Sequence, residues 1–429
     1  MQNRLIKKGL IFGVIILFII SSVVPSIGGN YLKNNDDSNN DDFEHECLTK
    51  NHNAILSNYF EEFEEANDLH FEESDILYKN SNVNIQYKNK ESYPFERGNT
   101  LNVGGSGMGN YSTIQGAVYD ATDGDTVFVY DYSSPYYENV IIDKSINLIG
   151  ENRDTTIIDA GGSGDVIQVS VDWVNITGFT VINSGGWSGG YPKSGIVYEN
   201  SQKDIQNCYL GNTNVSNNYY GVYLYYSSNI TIEDNIMSSN EAQGIRLYSS
   251  CWNNISNNIL TNNSHGLLLY FSSNNNTISG NNITMNNAFG IRISDPGYCY
   301  DNIIYNNYFN NTNNAADSGI NAWNISKTDM VNGEDFNIIG GEYFGGNYWH
   351  DYIGVDNTGD GLGDTNIPYG PGDYLPLTTV GYPVHNLHTG EGFLTIQAAI
   401  DDPDTNDNPG DHDTIYVESA YSEHVLKTL

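Results

Sequence analysis

Short runs of alternating apolar and polar residues recur through the middle of the chain at a nearly constant period. Gly221-Val-Tyr-Leu, Gly244-Ile-Arg-Leu, Gly266-Leu-Leu-Leu and Gly290-Ile-Arg-Ile follow one another at spacings of 23, 22 and 24 residues. A second run lies between them, in Asn229-Ile230-Thr231-Ile232, Asn254-Ile255-Ser256 and Asn276-Thr277-Ile278. A third is marked by Asn235-Ile236, Asn258-Ile259, Asn282-Ile283 and Asn307-Tyr308. Alternation of period two predicts strands, and three short strands per repeat describe one three-sided coil. One coil cannot bury its inward Ile, Leu and Val, whereas stacked coils share a continuous apolar core. Asn tolerates left-handed turns and can hydrogen-bond along a stack, and Gly lets the chain bend at the corners. The expected fold is therefore all-β, a right-handed single-stranded parallel β-helix. A leucine-rich repeat would need its Leu consensus and helical segment, and a propeller blade about twice the period.

The ends of the solenoid are also legible. Ile114, Ala117, Val118 and Ala121 have helical spacing, and a short helix here would cap the open N-terminal end. The turn Gly124-Asp125-Thr126 and the strands Val127–Tyr130, Val140–Ile142 and Ile146–Ile149 follow. After Asn314 the repeat decays into a Gly- and aromatic-rich stretch around Tyr348 and Trp349, which reads as the closing element. The segment Phe393-Leu-Thr-Ile-Gln397 then matches Tyr111-Ser-Thr-Ile-Gln115, and Asp413-Thr-Ile-Tyr-Val417 matches Asp125-Thr-Val-Phe-Val129. The resulting division is 1–28, a signal peptide or N-terminal anchor; 29–97, an acidic low-order linker; 98–378, the β-helix with its closing segment; and 379–429, the truncated start of a second β-helix module.

The first segment earns its assignment from Arg4, Lys7 and Lys8 followed by the apolar run Gly9 to Ile20, which is short for a membrane span. The chain is expected to be secreted or displayed at the cell surface, with membrane contact only through that anchor. Between Asp36 and Asp75 fourteen residues are Asp or Glu and one is Lys. The formal net charge of -36 excludes nucleic acid as a partner, because a polyanion would be repelled. The four cysteines suggest no structural disulfide: Cys208 replaces an inward Ile, and Cys251 and Cys299 sit two coils apart, roughly 10 Å, beyond disulfide reach.

These motifs resemble those of archaeal and bacterial surface proteins with NosD-like, pectin-lyase-like parallel β-helix repeats. The resemblance rests on the Ser112-to-Gln115 opening, the Asn-Ile coils, and Gly345-Gly346-Asn347-Tyr348-Trp349 through Asp364. It implies the fold strongly and function weakly, since this fold hosts lyases, hydrolases, epimerases, adhesins and copper-maturation factors.

Four chemistries compete for the surface. An outward column of Tyr225, Tyr248 and Tyr270, beside Tyr223, Arg246 and Arg292, suits stacking on sugar rings and hence binding of extracellular or cell-wall glycans. The bland alternative is a Tyr ladder that only stabilises the sheet. A carbohydrate-active enzyme, pectate-lyase-like or a polysaccharide hydrolase, would need converging carboxylates. No catalytic set stands out: from Asn217 to Asn307 the acids are Glu233, Asp234, Glu241, Asp295 and Asp301, without a common column. Copper handling wants clustered His, Met or Cys, and His265, Met237 and Met285 share no spacing. Finally, Asp356, Thr358, Asp360, Leu362 (through its carbonyl) and Asp364 occupy alternate positions of a loop that resembles a structural Ca²⁺ site, although Ile367 stands where a bidentate Glu would close it. Asn-X-Ser/Thr sequons such as Asn175, Asn229, Asn254, Asn282 and Asn324 follow from the repeat itself.

Overall fold

The computed structural model describes residues 98–187, 192–294, 299–329, 336–356 and 358–378, with short pieces at 384–386, 392–393, 396–401 and 415–417. The chain divides into two units, Met1–His45 and Glu46–Leu429, and every described residue belongs to the second. The expected leader (1–28) and acidic linker (29–97) lie outside the described residues. No helix among the described residues is long and apolar enough to cross a membrane.

The described residues form a right-handed parallel β-helix with three sheets. Sheet 1 has ten strands, from Thr100–Val103 to Ile320–Ala322; sheet 2 has nine, from Tyr136–Tyr137 to Tyr348–Trp349; sheet 3 has eight, from Val140–Ile142 to Ala315–Asp317. Parallel pairing in constant register through the central coils stacks like on like, and the register shifts where Tyr300–Tyr305 meets Ile320–Ala322. Val222, Ile245, Leu267 and Ile291 form one inward column. Ile232, Ile255, Ile278 and Ile304 form the second, and Met237, Leu260, Ile283 and Phe309 the third. All twelve are fully buried. At about 1.5–3 kcal/mol for each such side chain, burial is the main term holding the coils together.

Asn is divided between two jobs at the corners. One Asn or its substitute takes a left-handed backbone: Asp234, Ser239, Trp252, Asn257, Asn262, Asn275, Gly280, Met285, Asp301 and Asn306 all have φ between 55° and 69°. The residue that follows each of these turns its amide inward and joins a ladder. In the first ladder the backbone N–H and Nδ2 of Asn235 both donate to Oδ1 of Asn258, at 3.0 and 3.1 Å. Asn258 donates to Asn281, Asn281 to Asn307, and Asn307 to Asn347 in the same manner. A second ladder runs Asn240, Asn263, Asn286, Asn311, Asn314, and a third Asn253, Asn276, Asn302, Asn321. The repeat alignment made from sequence alone slips by one here. Asn281 and Asn253 are in the ladders, while Asn282 and Asn254 lie on the outer face of their strands, paired with Ile259 and Thr231.

Every ladder ends on a carboxylate. Each link donates toward the C-terminal end, so the last amide needs an acceptor that has no further coil to serve. Asp373 accepts from Asn347 N, Trp349 Nε1 and Leu375 N at 2.8–3.0 Å. Asp317 accepts from Asn321 Nδ2, Gly319 N and Trp323 Nε1, and Asp351 accepts from Asn314 Nδ2. An Asn at such a position would turn a donor toward these donors.

At the other end the helix Ile114–Asp120 (α1) buries Ile114, Ala117 and Val118, as its spacing predicts. Thr113 Oγ1 accepts from Gly116 N, and both Glu138 oxygens accept from the Ile114 and Gln115 amides at 2.8 and 2.9 Å. A carboxylate at a helix start also matches the helix dipole. At the closing end Trp349 stacks on Phe309 with ring centroids 4.6 Å apart, and Trp323 packs against both.

One expectation changes. Cys208 and Cys299 are buried thiols outside any disulfide, but Cys251 is disulfide-bonded. The expectation of no structural disulfide considered only pairing within the repeat; the partner of Cys251 lies outside the described residues. In the C-terminal pieces, strand Val384–Asn386 pairs antiparallel with Gly392–Phe393 and with Ile415–Val417, around a helix at Ile396–Asp401. The opening pair of the solenoid, Thr100–Val103 with Thr126–Val129, is parallel, so the matching motifs carry different pairings.

Candidate functional site

Four adjacent strands of sheet 3, Tyr220–Tyr225, Gln243–Tyr248, His265–Tyr270 and Phe289–Ser294, set the geometry of the site. Their register places Tyr223, Arg246, Leu268 and Arg292 in one outward column. Tyr225, Tyr248, Tyr270 and Ser294 form its neighbour. All six residues expected to line a binding face thus share one surface. The reason is local: strand alternation sends Ile245 and Leu247 inward, so Arg246 and Tyr248 must face out.

The rings are continuous across the coils. Tyr225 and Tyr248 lie 5.2 Å apart, Tyr248 and Tyr270 5.8 Å, and Tyr223 and Tyr225 5.7 Å between centroids. Sequence reasoning missed several members of this surface. Tyr220 and Phe289 precede the repeat glycines Gly221 and Gly290, and Tyr220 joins Tyr223 at 5.5 Å. Tyr226 and Phe271 follow the strands at φ 49° and 48°, a backbone region that costs a bulky residue about 1–3 kcal/mol. That geometry lays Phe271 parallel to Tyr248 at 5.3 Å and Tyr226 against it at 5.8 Å. The signal was available in the residue flanking each Gly-X-aromatic strand.

Arg246 is held in a box of rings. Its guanidinium carbon lies 5.2 Å from the centroid of Tyr220, 5.5 Å from Tyr223 and 5.6 Å from Tyr270, and Nη1 donates to Tyr220 Oη at 3.1 Å. Burial pushes the Tyr220 and Tyr223 hydroxyls above their usual range, and the nearby Arg246 charge opposes this only in part. Both phenols stay protonated. Arg292 lies 5.6 Å from the Phe289 ring, which also stacks with His265 at 5.8 Å. Burial, with help from Arg292, holds the His265 imidazole below its usual range, so it is neutral.

Acidic groups enter the same sheet from the N-terminal side. Gln168 is registered with Val197, and Val197 with Tyr223. Gln168 Nε2 donates to Glu199 Oε1 at 3.1 Å, and burial, with nearby Asp165, raises the Glu199 carboxyl above its usual range. Asp165 is committed elsewhere: it pairs with Lys193 at 2.9 Å and accepts from Ser194 N at 2.7 Å. A carboxylate pair free to act as acid and base is therefore not assembled from these two.

The loop expected to hold Ca²⁺ closes on itself. Asp356 Oδ1 accepts from the Thr358 and Gly359 amides and from Thr358 Oγ1, and Oδ2 accepts from Gly361 N. Asp364 accepts from Thr358 N, and Asp360 accepts from Leu362 N while pairing with Lys327 at 2.5 Å. Burial pushes the Asp360 carboxyl up, but Lys327 and the Leu362 amide outweigh it and hold it below the usual range. The carboxylates expected around a cation thus accept from backbone amides and the Thr358 hydroxyl, and Asp360 also meets the Lys327 ammonium group. Among the described residues no group of three or more His, Cys, Asp or Glu is placed to hold a metal.

A three-sided parallel β-helix with one aromatic and cationic outer face defines the class of protein. The family model described as "Periplasmic copper-binding protein (NosD)" matches residues 118–354, more than half of the chain, and the chain belongs to the NosD family. No curated protein sequence matches it. Among solved structures it is similar to the Dettilon tailspike protein, at 13% identity over 51% of this chain and 43% of that one, with a TM-score of 0.36. It is also similar to pectate lyase Pel9A, at 14% identity over 54% and 81% of the two chains, TM-score 0.34. A double mutant of the periplasmic alginate epimerase AlgG gives 16% over 50% and 41%, TM-score 0.31. The chain spans less than half the length of the tailspike and of AlgG. These likenesses concern the fold.

The family description names copper, but the described residues do not offer a copper site. Burial raises the Cys208 thiol to about 12, Cys251 is in a disulfide, and Cys299 is in the core. Met237 is fully buried, whereas Met285 is 66% exposed on a turn. His265 stacks on Phe289, and His350 contacts Asn314 and Asp351. Soft ligands are dispersed, not gathered.

Proposed function

We propose that this protein is an extracellular, cell-surface β-helix scaffold that binds glycan chains on the outer face of sheet 3, in an adhesive role. The observation that carries this reading is the continuous stack of Tyr223, Tyr225, Tyr248 and Tyr270 beside Arg246. Sugar rings present C–H faces that pack on aromatic rings, and neighbouring phenols and guanidinium groups donate to hydroxyls. Strands repeat at ~4.8 Å, close to the rise of one sugar in an extended chain, so successive rings meet successive residues. The word periplasmic in the description of the family supports an address outside the cytoplasm. A surface built only to stabilise the sheet has no need for a guanidinium boxed by three rings. Screening the full-length protein on a glycan array, alongside Tyr248→Ala, tests the proposal. Binding to at least one glycan class, weakened tenfold or more by Tyr248→Ala, is expected; no binding to any glycan would refute it.

A further inference from the structure

The two arginines of the face have an unusual electrostatic position. The chain has 53 Asp and Glu residues against 17 Lys and Arg, so a cation at its surface has many carboxylates to choose from. Lys144, Arg153, Lys193, Lys203 and Lys327 each pair with an aspartate. Among the described residues Arg246 and Arg292 make no such pair. Arg246 is instead fixed by rings, and its Nε is buried without a hydrogen-bond partner. On the same strand Gln243 is 8% exposed and its Oε1 is likewise buried without a partner. A buried polar atom left unmatched costs roughly 1–3 kcal/mol, and a half-buried cation without a counter-charge costs more. Both costs fall on one strand of one face.

Spacing narrows what could offset them. Arg246 registers with Leu268 and Leu268 with Arg292, so the two guanidinium groups are two strands apart, about 9.6 Å along the solenoid axis. Leu268, 8% exposed, leaves an apolar floor between them. Glu199 and Asp165 lie beyond the Tyr223 strand, on the opposite side from Arg292, so the face is cationic at one end and acidic at the other.

We infer that, within the glycan-binding reading on which this rests, the ligand is an anionic glycan lying along the solenoid axis with a negative group on every second sugar facing Arg246 and Arg292. An extended chain advances about 5 Å per sugar, so alternate residues match the two-strand interval. The overall negative charge of the protein does not oppose this at contact distance, because charges farther than the Debye length of about 8 Å are screened at physiological salt. Free carboxylates and sulfate half-esters share the required negative charge and acceptor oxygens.

The test titrates full-length protein with a hexameric oligouronate, its carboxyl-reduced neutral counterpart, and a sulfated neutral hexasaccharide. Either anionic probe should bind at least tenfold more tightly than the reduced one, and whichever binds better identifies the anionic group. Arg292→Gln, at an exposed position, should erase most of that preference and flatten its salt dependence; Arg246→Gln should do the same, with its fold checked by thermal unfolding. Equal affinity for the charged and reduced chains, or an unchanged preference in Arg292→Gln, would overturn the inference. Binding of neutral glycans alone on the array would overturn it while leaving the glycan-binding reading intact; no glycan binding at all would end both.

Discussion

The interior Asn columns and the outer Tyr/Arg columns are produced by the same register, yet they behave as opposite kinds of surface. Inside, identical side chains satisfy one another completely: Asn258 takes two hydrogen bonds from Asn235 and gives to Ile232 O and to Asn281. Outside, the column changes identity at each coil, from Tyr223 to Arg246 to Leu268 to Arg292, and leaves Arg246 Nε unmatched. A stack that exists for stability is homogeneous and closed by a terminal carboxylate. The outer face is heterogeneous and leaves Arg246 Nε and Gln243 Oε1 without partners, which is what the proposed ligand-binding role requires.

Substitutions can separate the two. The largest effect should come from Asp373→Ala, which strands the Asn347 amide, the Trp349 indole and the Leu375 amide and should cost roughly 3–5 kcal/mol. Asp373 also makes that end sensitive to pH. Burial is the chief cause that raises its carboxyl to about 7, against about 3.9 in an unfolded chain. The folded state therefore holds this proton more tightly. Its stabilising contribution is complete below pH about 4, falls as pH rises through about 7, and is level beyond. Thermal unfolding of the wild type should show that decline, and Asp373→Asn should lack it; identical pH slopes would remove Asp373 as the source.

Next in size, Asn258→Ala should cost about 3 kcal/mol, whereas Asn282→Ala, one column out, should stay within about 0.5 kcal/mol. Denaturant melts of the two variants would decide between the ladder register of the structure and the alignment suggested by the repeat. If Asn282→Ala proved the more costly, the ladder register would be wrong. Among the changes expected to be felt, the smallest belongs to the cap of α1, where Thr113→Ala should lose about 1 kcal/mol and leave glycan binding untouched.

Period and alternation were enough to read the three-sided coil, the capping helix and the outward Tyr/Arg columns, because all of these follow from side-chain direction along a strand. The ladders were only half legible. In Asn257-Asn258 or Asn262-Asn263 the two residues are chemically the same, and only backbone geometry tells which turns and which stacks. The terminal carboxylates were invisible for a different reason: Asp317, Asp351 and Asp373 sit outside the repeat and meet their ladders only after the closing segment folds back. In the Asp356–Asp364 loop the same spacing serves a cation or the loop's own amides, and the ion pair of Lys327 with Asp360 comes from a residue far away in sequence that the spacing does not reveal. Tyr226 and Phe271 were missed because bulky residues are rarely expected at positive φ.

The central claim is that the outer column binds while the inner columns hold the fold, and Tyr248→Ala tests it most directly when affinity and stability are measured on the same sample. Tyr248 is half-buried among Tyr225, Tyr226, Tyr270 and Phe271, so its loss should cost about 1–2 kcal/mol of stability. The prediction is a tenfold or greater loss of affinity for the array-selected glycan, with only that modest fall in unfolding free energy. Unchanged affinity in a destabilised protein would contradict the account and return the Tyr column to a structural role.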